Sequence, residues 1–350
     1  MISKKNWQLM KRYLEYRLSV DQISDGSLLA EQTHMRYVLE WAQETSFRNA
    51  AEIRPTFPEY ILHNPMKDKK GQLSPQYIKK LLATARLFFT YLLENEAGYK
   101  HIKPAWIKKI RVKRLANLPR NSEAVTLEEV LAIAARPARS ARARRARAAL
   151  VFLFLSGVRI GAFVTLPLQA VDIPNRVVYQ YPNLGVKTKN GKPITSYLWD
   201  IPELLKIVQD WDNEVRAILP PHGYWFAPLS FQTGEIDPSI VEIGKHRIHL
   251  ARRDFDKWLM QENLPVHSPH KFRHGHVHYG MQHAKTAADM KAVSLNVGHS
   301  DIKTTDQIYS VLGNDEIKNR ISTLNKSGKA ADKKDLAKLL RDVLAELEGS

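Results

Sequence analysis

The first hundred residues of the chain place apolar side chains three and four positions apart, which is the spacing of a single helix face. This pattern runs through residues 3–18 and 28–45. A third such segment begins at Ser74 and Pro75, an N-cap followed by a residue suited to the first turn, and stops at Gly98. We therefore predict a small, all-helical unit in this part of the chain.

The second half of the chain has a different pattern. A capping box of Thr126 and Glu129 predicts the start of a helix and of a second domain. The most apolar stretch, ALVFLFLSGVRIGAFVTLPL, is interrupted by Gly157, Arg159 and Pro167. Because a central Arg is costly in lipid, we interpret this stretch as buried core and not as a membrane span.

One region alternates apolar and polar positions as β-strands do, NRVVYQYPNLGVKTKNGKPITSYLWDIP. Asn190-Gly191 within it is a strong hairpin signal, because both residue types tolerate positive φ. Helical spacing returns after residue 202. The sequence thus predicts a mainly α fold with a small antiparallel β-sheet, an α+β protein with two domains.

Composition narrows the class of partner. The chain contains 53 Lys and Arg against 36 Asp and Glu, a net charge of +17, and such an excess suits the phosphates of a nucleic acid. An anionic membrane would instead require a basic amphipathic helix with aromatic anchors, which the sequence does not show. The absence of cysteine excludes thiol catalysis and Cys-ligated zinc and fits a reducing cytoplasm. The first residues lack the apolar core of a signal peptide.

A run of Lys and Arg with no acid before Glu123 joins the two predicted domains. Its charge and its prolines predict a linker over residues 103–122. The run is either a solvated linker or a segment that lies across a DNA backbone. Its charge favours the second interpretation, because every charged residue of the run before Glu123 is positive. The predicted DNA-binding residues are Lys108, Lys109, Arg111, Lys113, Arg114 and Arg120 in this run and Lys187 and Lys192 in the hairpin.

Six polar residues stand in otherwise apolar or tightly turned contexts: Arg159, Lys189, His270, Arg273, His299 and Tyr309. Two guanidiniums hold a phosphate by bidentate contacts and stabilise the extra negative charge of a five-coordinate transition state. A metal-dependent nuclease would need carboxylates to hold its ions, and this set contains none. Tyrosine is a competent nucleophile once its proton is removed, and nearby positive charge lowers its pKa from about 10. The product would be a covalent phosphotyrosine.

Four stretches that carry these residues resemble the tyrosine recombinases of the phage integrase family. They are SGVRIGAFVTLPLQAVDI, VKTKNGKPIT, HKFRHGHVHYG and VGHSDIKTTDQIYSVL, in that family's order and spacing across residues 150–312. The helical N-terminal unit is similar to the family's core-binding domain. The resemblance implies a clamp around DNA, with a core-binding domain over 1–102, the linker over 103–122, a catalytic domain over 123–325 and a tethered amphipathic helix within 326–350.

The resemblance also implies a role for each residue. Arg159 and Arg273 would clamp the scissile phosphate, while His270 would support that phosphate and help to move the tyrosine proton. His299 would donate to a non-bridging oxygen. Tyr309 would form a 3′-phosphotyrosyl bond that stores the energy of the broken phosphodiester, so neither a metal, ATP nor another cofactor is needed.

Two further points concern the residue that acts as general acid and the residue that supports Arg159. Lys189 would protonate the departing 5′-hydroxyl, but Lys187 and Lys192 share the same hairpin. One position departs from the family pattern, because Ala162 stands where the family commonly has an acidic residue that supports the site. This departure puts the positioning of Arg159 in question.

The neighbouring histidines offer a competing interpretation. His270, His274 and His278 follow one another at four-residue spacing, which also suits zinc. No Glu lies between them as in the H-E-x-x-H motif. We therefore predict no metal site, and we expect His274, His276 and His278 to lie at the surface or to face DNA.

The tail combines a polar linker at residues 325–334 with an apolar stripe from Leu336 to Leu347. So short a helix must bury its stripe elsewhere. The resemblance implies docking of residues 335–348 on a neighbouring protomer, and folding back onto its own domain is the alternative. The implied partners are double-stranded DNA with inverted-repeat half-sites and further copies of the chain, a dimer to a tetramer on DNA, in a prokaryotic cytoplasm at the nucleoid.

The predicted function is therefore site-specific DNA recombination or integration. A relaxing type IB topoisomerase or a protelomerase is one alternative, because these enzymes use a similar residue set without pairing two DNA sites. A catalytically silent DNA-binding protein of the same fold is the other alternative.

Overall fold

The computed structural model describes residues 1–63, 73–112, 124–242, 244 and 246–298. The chain divides into two compact units, with the division between Pro119 and Arg120. Helices dominate both units, and the second contains a small three-stranded antiparallel sheet. This architecture confirms the predicted fold class. Within the described ranges, no helix is both long and apolar enough to cross a membrane.

The helices of the first unit largely follow the predicted spacing. Ser74 caps the longest of them and Pro75 occupies its first turn, as predicted. That helix ends at Asn95, however, and Gly98 lies in a separate 3-10 turn. The helices are α1 Lys4–Ser19, α2 Asp25–Ala42, α3 Phe57–His63, α4 Pro75–Asn95 and α5 Pro104–Ile107.

The apolar faces of these helices enclose an aromatic core. Phe47, Phe88 and Phe89 are fully buried, and the rings of Phe47 and Phe88 meet edge to face with centroids 5.1 Å apart. Ile107 and Ile110 are buried in the same core. The core of the first unit therefore extends beyond residue 102 into the predicted linker, because these isoleucines bury enough apolar surface to hold a charged segment in place.

Helix α7 is the centre of the second unit. Its residues from Ala148 to Ser156 are all buried, and α6, α9, α10 and α11 pack around it. The apolar stretch is thus a core, as predicted, and the capping box of Thr126 and Glu129 is formed. The helices are α6 Leu127–Ala134, α7 Ala141–Ser156, α8 Ile160–Phe163, α9 Pro202–Arg216, α10 Arg247–Gln261, α11 Pro269–His283 and α12 Ala287–Asn296.

The sheet consists of β1 Val171–Asp172, β2 Val177–Gln180 and β3 Ile194–Tyr197, in the order β1-β2-β3. The predicted antiparallel pairing of β2 with β3 is present. The predicted tight turn between the two strands is not. Asn190 and Gly191 do have positive φ, 61° and 65°, yet they lie within a loop of residues 181–193. Pro182, the second residue of this loop, has no N–H to donate, so the ladder does not continue past it.

Candidate active site

A cleft of about 440 Å³ in the second unit gathers side chains from distant stretches of the sequence. Four of the predicted catalytic residues line it: Arg159, Lys189, His270 and Arg273. Lys187, Thr188 and Arg252 line it as well. Predicted residues His299 and Tyr309 lie outside the described residues.

Arg159 enters the cleft from the start of α8, just beyond the end of α7. Gly157 ends α7 in the left-handed conformation, with φ 64°. A Cβ at Gly157 would lie 2.7 Å from the ring of His276, so only glycine fits this reversal of the chain. Burial lowers the pKa of the Arg159 guanidinium. Ala162, at the position where an acidic residue was expected, is buried and lines the cleft.

Helix α11 supplies His270 and Arg273, one turn apart as predicted. Arg273 is 3% exposed, and its guanidinium donates hydrogen bonds to the carbonyl oxygens of Gly157, at 2.5 Å, and of Val297. These carbonyls belong to the ends of two other helices, α7 and α12. They fix the plane of the guanidinium, which is what bidentate phosphate recognition requires.

His270 is the one imidazole in the described lining of the cleft. Partial loss of water lowers its pKa, and the positive charges of Arg273, Arg159 and Arg252 lower it further. A proton on this ring is therefore disfavoured, and near neutral pH the ring is neutral. A neutral imidazole in this position can accept a proton from a hydroxyl group.

The loop between β2 and β3 presents two lysines to the cleft, Lys187 and Lys189, and both are exposed. The backbone N–H of Lys187 donates to Thr165 Oγ1 at 2.9 Å, which ties this part of the loop to the end of α8. Lys192 is exposed outside the cleft. The structure thus leaves both cleft lysines as candidates for the general acid.

The sequence pattern did not predict Arg252 as a residue of the site. It projects from α10 into the cleft and adds a third guanidinium. In the sequence it stands beside Arg253 in a helix that also carries Asp254 and Asp256, a mixture typical of a solvated face. No local signal distinguishes Arg252 from Arg253, because only packing turns one of them toward the cleft.

The described lining of the cleft is cationic and contains no Asp or Glu. No group of three His, Cys, Asp or Glu side chains in the described ranges is placed to hold a metal ion. Such a lining binds an anion and stabilises charge that develops on it. A phosphodiester suits it, because guanidiniums match phosphate oxygens in pairs.

The neighbouring histidines of α11 differ from the expectation in one case. His278 is exposed and His274 is half-buried, but His276 has no exposed surface. The prediction of a surface His276 was wrong, because α11 packs closely against α7 and presents this face to it. Both ring nitrogens of His276 are hydrogen-bonded, to Phe154 O and to Asn296.

The other predicted DNA-binding residues are described only in part. Lys108, Lys109 and Arg111 are exposed at the end of the described part of the first unit. Lys113, Arg114 and Arg120 lie outside the described residues, as does the predicted tail helix at 335–348.

The sequence of this chain is similar to a known family and to proteins within it. A model of the phage integrase family matches residues 123–314. The tyrosine recombinase XerC of Mannheimia succiniciproducens is 25% identical over 308 residues, which cover 87% of this chain and 92% of that protein. The tyrosine recombinase XerD of Shewanella oneidensis is 23% identical over 309 residues, covering 86% of this chain and 91% of that protein.

Solved structures with the same fold agree with this match. A lambda integrase dimer bound to a COC′ core site has 15% identity and a TM-score of 0.60, covering 88% of this chain and 96% of that one. The Tn1549 transposon integrase in complex with circular intermediate DNA has 14% identity and a TM-score of 0.53, covering 90% and 99%. The family model matches more than half of the chain and confirms the predicted resemblance. The chain therefore belongs to the phage integrase family.

Proposed function

We propose that the chain is a site-specific DNA recombinase that breaks and rejoins strands through a 3′-phosphotyrosyl intermediate on Tyr309. The observation that supports this most is the meeting of Arg159, His270 and Arg273 in a cleft whose described lining carries no carboxylate. The relatives named above are tyrosine recombinases, and membership of the family makes the same chemistry the first expectation for this chain.

The phosphate is bound first. Arg159 and Arg273 hold the non-bridging oxygens of the scissile phosphate and neutralise the charge that rises as a fifth oxygen approaches. Arg273 arrives with its guanidinium already oriented by the carbonyls of Gly157 and Val297. This preorganisation lowers the barrier because little reorganisation is needed during the reaction.

Strand cleavage then exchanges one ester for another. The Tyr309 oxygen attacks phosphorus as its proton passes to neutral His270, and the bond to the 5′-oxygen breaks. The departing oxygen takes a proton from Lys189 or Lys187. Attack by the 5′-hydroxyl of a second strand reverses these steps and joins the strands, so the phosphodiester energy is conserved.

The experiment that tests this function traps the covalent intermediate. A nicked DNA site that loses its 5′-hydroxyl fragment after cleavage should accumulate a protein–DNA adduct, and it should do so in EDTA. Tyr309→Phe should keep DNA binding and lose the adduct, because only the nucleophilic oxygen is removed. Tyr197→Phe changes an exposed tyrosine of β3 and should leave adduct formation intact. An adduct from Tyr309→Phe would contradict the mechanism.

The assembly that fits this function is a set of protomers on paired half-sites, with the tail of each docked on its neighbour. A groove of about 430 Å³ on the second unit supports this arrangement. Its apolar lining includes Leu198, Trp199 and Val293, with Lys285 among its polar residues. The tail carries an apolar stripe from Leu336 to Leu347, which suits an apolar groove of this kind.

A further inference from the structure

Two polar side chains, His276 of α11 and Asn296 of α12, meet inside the second unit behind the phosphate-binding residues. His276 is completely buried. Its ring packs against Trp199, with centroids 4.9 Å apart. A buried polar pair of this kind costs free energy unless its hydrogen bonds are all made, so its bonding pattern is informative.

The hydrogen bonds of His276 define its tautomer. Nδ1 lies 2.9 Å from the carbonyl oxygen of Phe154, and a carbonyl can only accept, so Nδ1 carries the proton. Nε2 lies 3.0 Å from the side-chain nitrogen of Asn296 and is therefore the acceptor. Burial lowers the pKa of the ring to about 3, in agreement with a neutral imidazole.

Asn296 continues the network to strand β3. Its side-chain nitrogen donates to the carbonyl of Tyr197 at 3.0 Å, and its side-chain oxygen accepts from the N–H of Tyr197 at 2.6 Å. The backbone carbonyl of Asn296 accepts from Ser196 Oγ at 2.6 Å. Asn296 thus pairs with the strand as another strand residue would, and it binds the end of α12 to the sheet.

The same two helix ends hold Arg273. The carbonyl of Val297 directly follows Asn296 and accepts from Arg273, as does the carbonyl of Gly157 at the end of α7. His276 lies one turn after Arg273 on α11 and bonds to Phe154 near that end of α7. The His276–Asn296 pair therefore spans the gap in which the Arg273 guanidinium is held.

We propose that His276 and Asn296 are positioning residues that set the distance between the ends of α7 and α12 and thereby orient the Arg273 guanidinium toward the scissile phosphate. Neither residue lines the cleft itself. The proposal rests on the proposed strand-transfer function, because it assigns the network to the phosphate clamp of that reaction.

The test measures single-turnover adduct formation on the nicked site at saturating DNA, with the reactive fraction taken from the amplitude. His276→Phe keeps an aromatic ring but removes both hydrogen bonds. We expect its cleavage rate constant to fall about a hundredfold, the effect of a displacement of about 1 Å, with the half-saturating DNA concentration unchanged. His276→Gln, which can still donate to Phe154 and accept from Asn296, should recover most of the rate.

Two comparisons separate positioning from a general loss of stability. His34→Phe removes a buried histidine bonded to Thr84 at 2.8 Å in the first unit. It should lower the melting temperature and the reactive fraction without changing the rate constant. Arg273→Lys and His276→Phe should be non-additive, because the second change acts through the first residue. The double variant should therefore be no slower than Arg273→Lys alone.

Different failures point to different errors. If the native chain forms no adduct, the proposed function is wrong. If the native chain cleaves and His276→Phe cleaves at the same rate, or if its defect adds fully to that of Arg273→Lys, the positioning role is wrong. Should His276→Phe fail to fold, Asn296→Leu gives the same test, because it removes the donor to Nε2 and leaves the His276 ring in place.

Discussion

At the residue scale, the two lysines of the cleft are chemically equivalent, and only their positions distinguish them. We expect Lys189→Ala to slow cleavage of ordinary DNA by about a hundredfold or more, the usual contribution of a general acid. A substrate whose 5′-leaving oxygen is replaced by sulfur should restore the rate, because a thiolate leaves without a proton. Single-turnover cleavage of the two substrates measures this rescue.

Lys192 and Lys187 of the same loop supply the control and the competing assignment for this experiment. Lys192→Ala changes an exposed lysine outside the cleft and should cleave both substrates at the native rate. Sulfur rescue of Lys187→Ala in place of Lys189→Ala would assign the general acid to Lys187.

The burial of His276 also leads to a prediction about how the stability of the fold depends on pH. Its pKa is about 3 in the folded chain and about 6.5 when unfolded, so the folded state binds fewer protons. The free energy of unfolding should therefore fall as the pH drops from about 6.5 toward 3, by as much as about 1.4 kcal/mol for each pH unit. Denaturant unfolding at pH 7 and pH 5 measures the change.

Substitutions on the same helix provide the comparison. His276→Phe should be less sensitive to this pH change than the native chain, although His274, whose pKa is lowered to about 4, still contributes in the same direction. His278→Phe replaces an exposed histidine of the same helix and is the control for a substitution in α11. A native-like pH dependence of His276→Phe would show that His276 is accessible to protons in the folded state.

At the element scale, close packing of α11 determines where its catalytic residues lie. A Cβ at Gly275 would overlap the carbonyl oxygen of Val125 and lie 3.1 Å from the ring of Phe154. The backbone oxygen cannot move aside as a flexible side chain would. We expect Gly275→Ala to destabilise the second unit by about 1–3 kcal/mol, the usual cost of overpacking, and to slow cleavage by displacing His270 and Arg273.

Unfolding in denaturant and adduct formation report these two effects of Gly275→Ala. Gly161→Ala is the matched control for the stability measurement alone, because the nearest atom to its added Cβ is 3.9 Å away and Gly161 itself lines the cleft. It should leave stability within about 0.5 kcal/mol of the native value. Equal stability of the two variants would mean that α11 can shift without cost.

At the scale of the whole molecule, assembly on DNA should depend on the tail. We expect deletion of residues 332–350 to leave binding to a single half-site nearly intact, because the predicted DNA contacts lie elsewhere. Cooperative binding to the paired site and recombination should be lost, because the apolar stripe can no longer dock on a neighbour. Band-shift titrations with one and with two half-sites measure the difference.

The groove supplies the control for that prediction. Ala292→Asp places a charge at an exposed position of the groove and should reproduce the loss of cooperativity in the full-length chain, with single-site binding retained. Full cooperativity and recombination in the truncated chain would show that the tail packs on its own domain or plays no part in assembly.

Local sequence determined where several helices begin and which residues share a helix face. The cap at Ser74, the capping box of Thr126 and Glu129 and the spacing of His270 and Arg273 depend on residues within one turn of each other. Such short-range patterns can be read without the fold. The chemistry of the site was also predictable, since guanidinium, imidazole and ammonium groups without a carboxylate are a set suited to phosphoryl transfer.

Tertiary structure alone decided which side chains meet. Arg252 reaches the cleft and Arg253 does not line it, although the sequence around them is equally polar. His276 became buried through contacts with Phe154 and Asn296, which are 122 and 20 residues away. The physical reason is the same in each case. Burial and orientation depend on which elements pack together, and local periodicity carries little information about contacts between residues far apart in the chain.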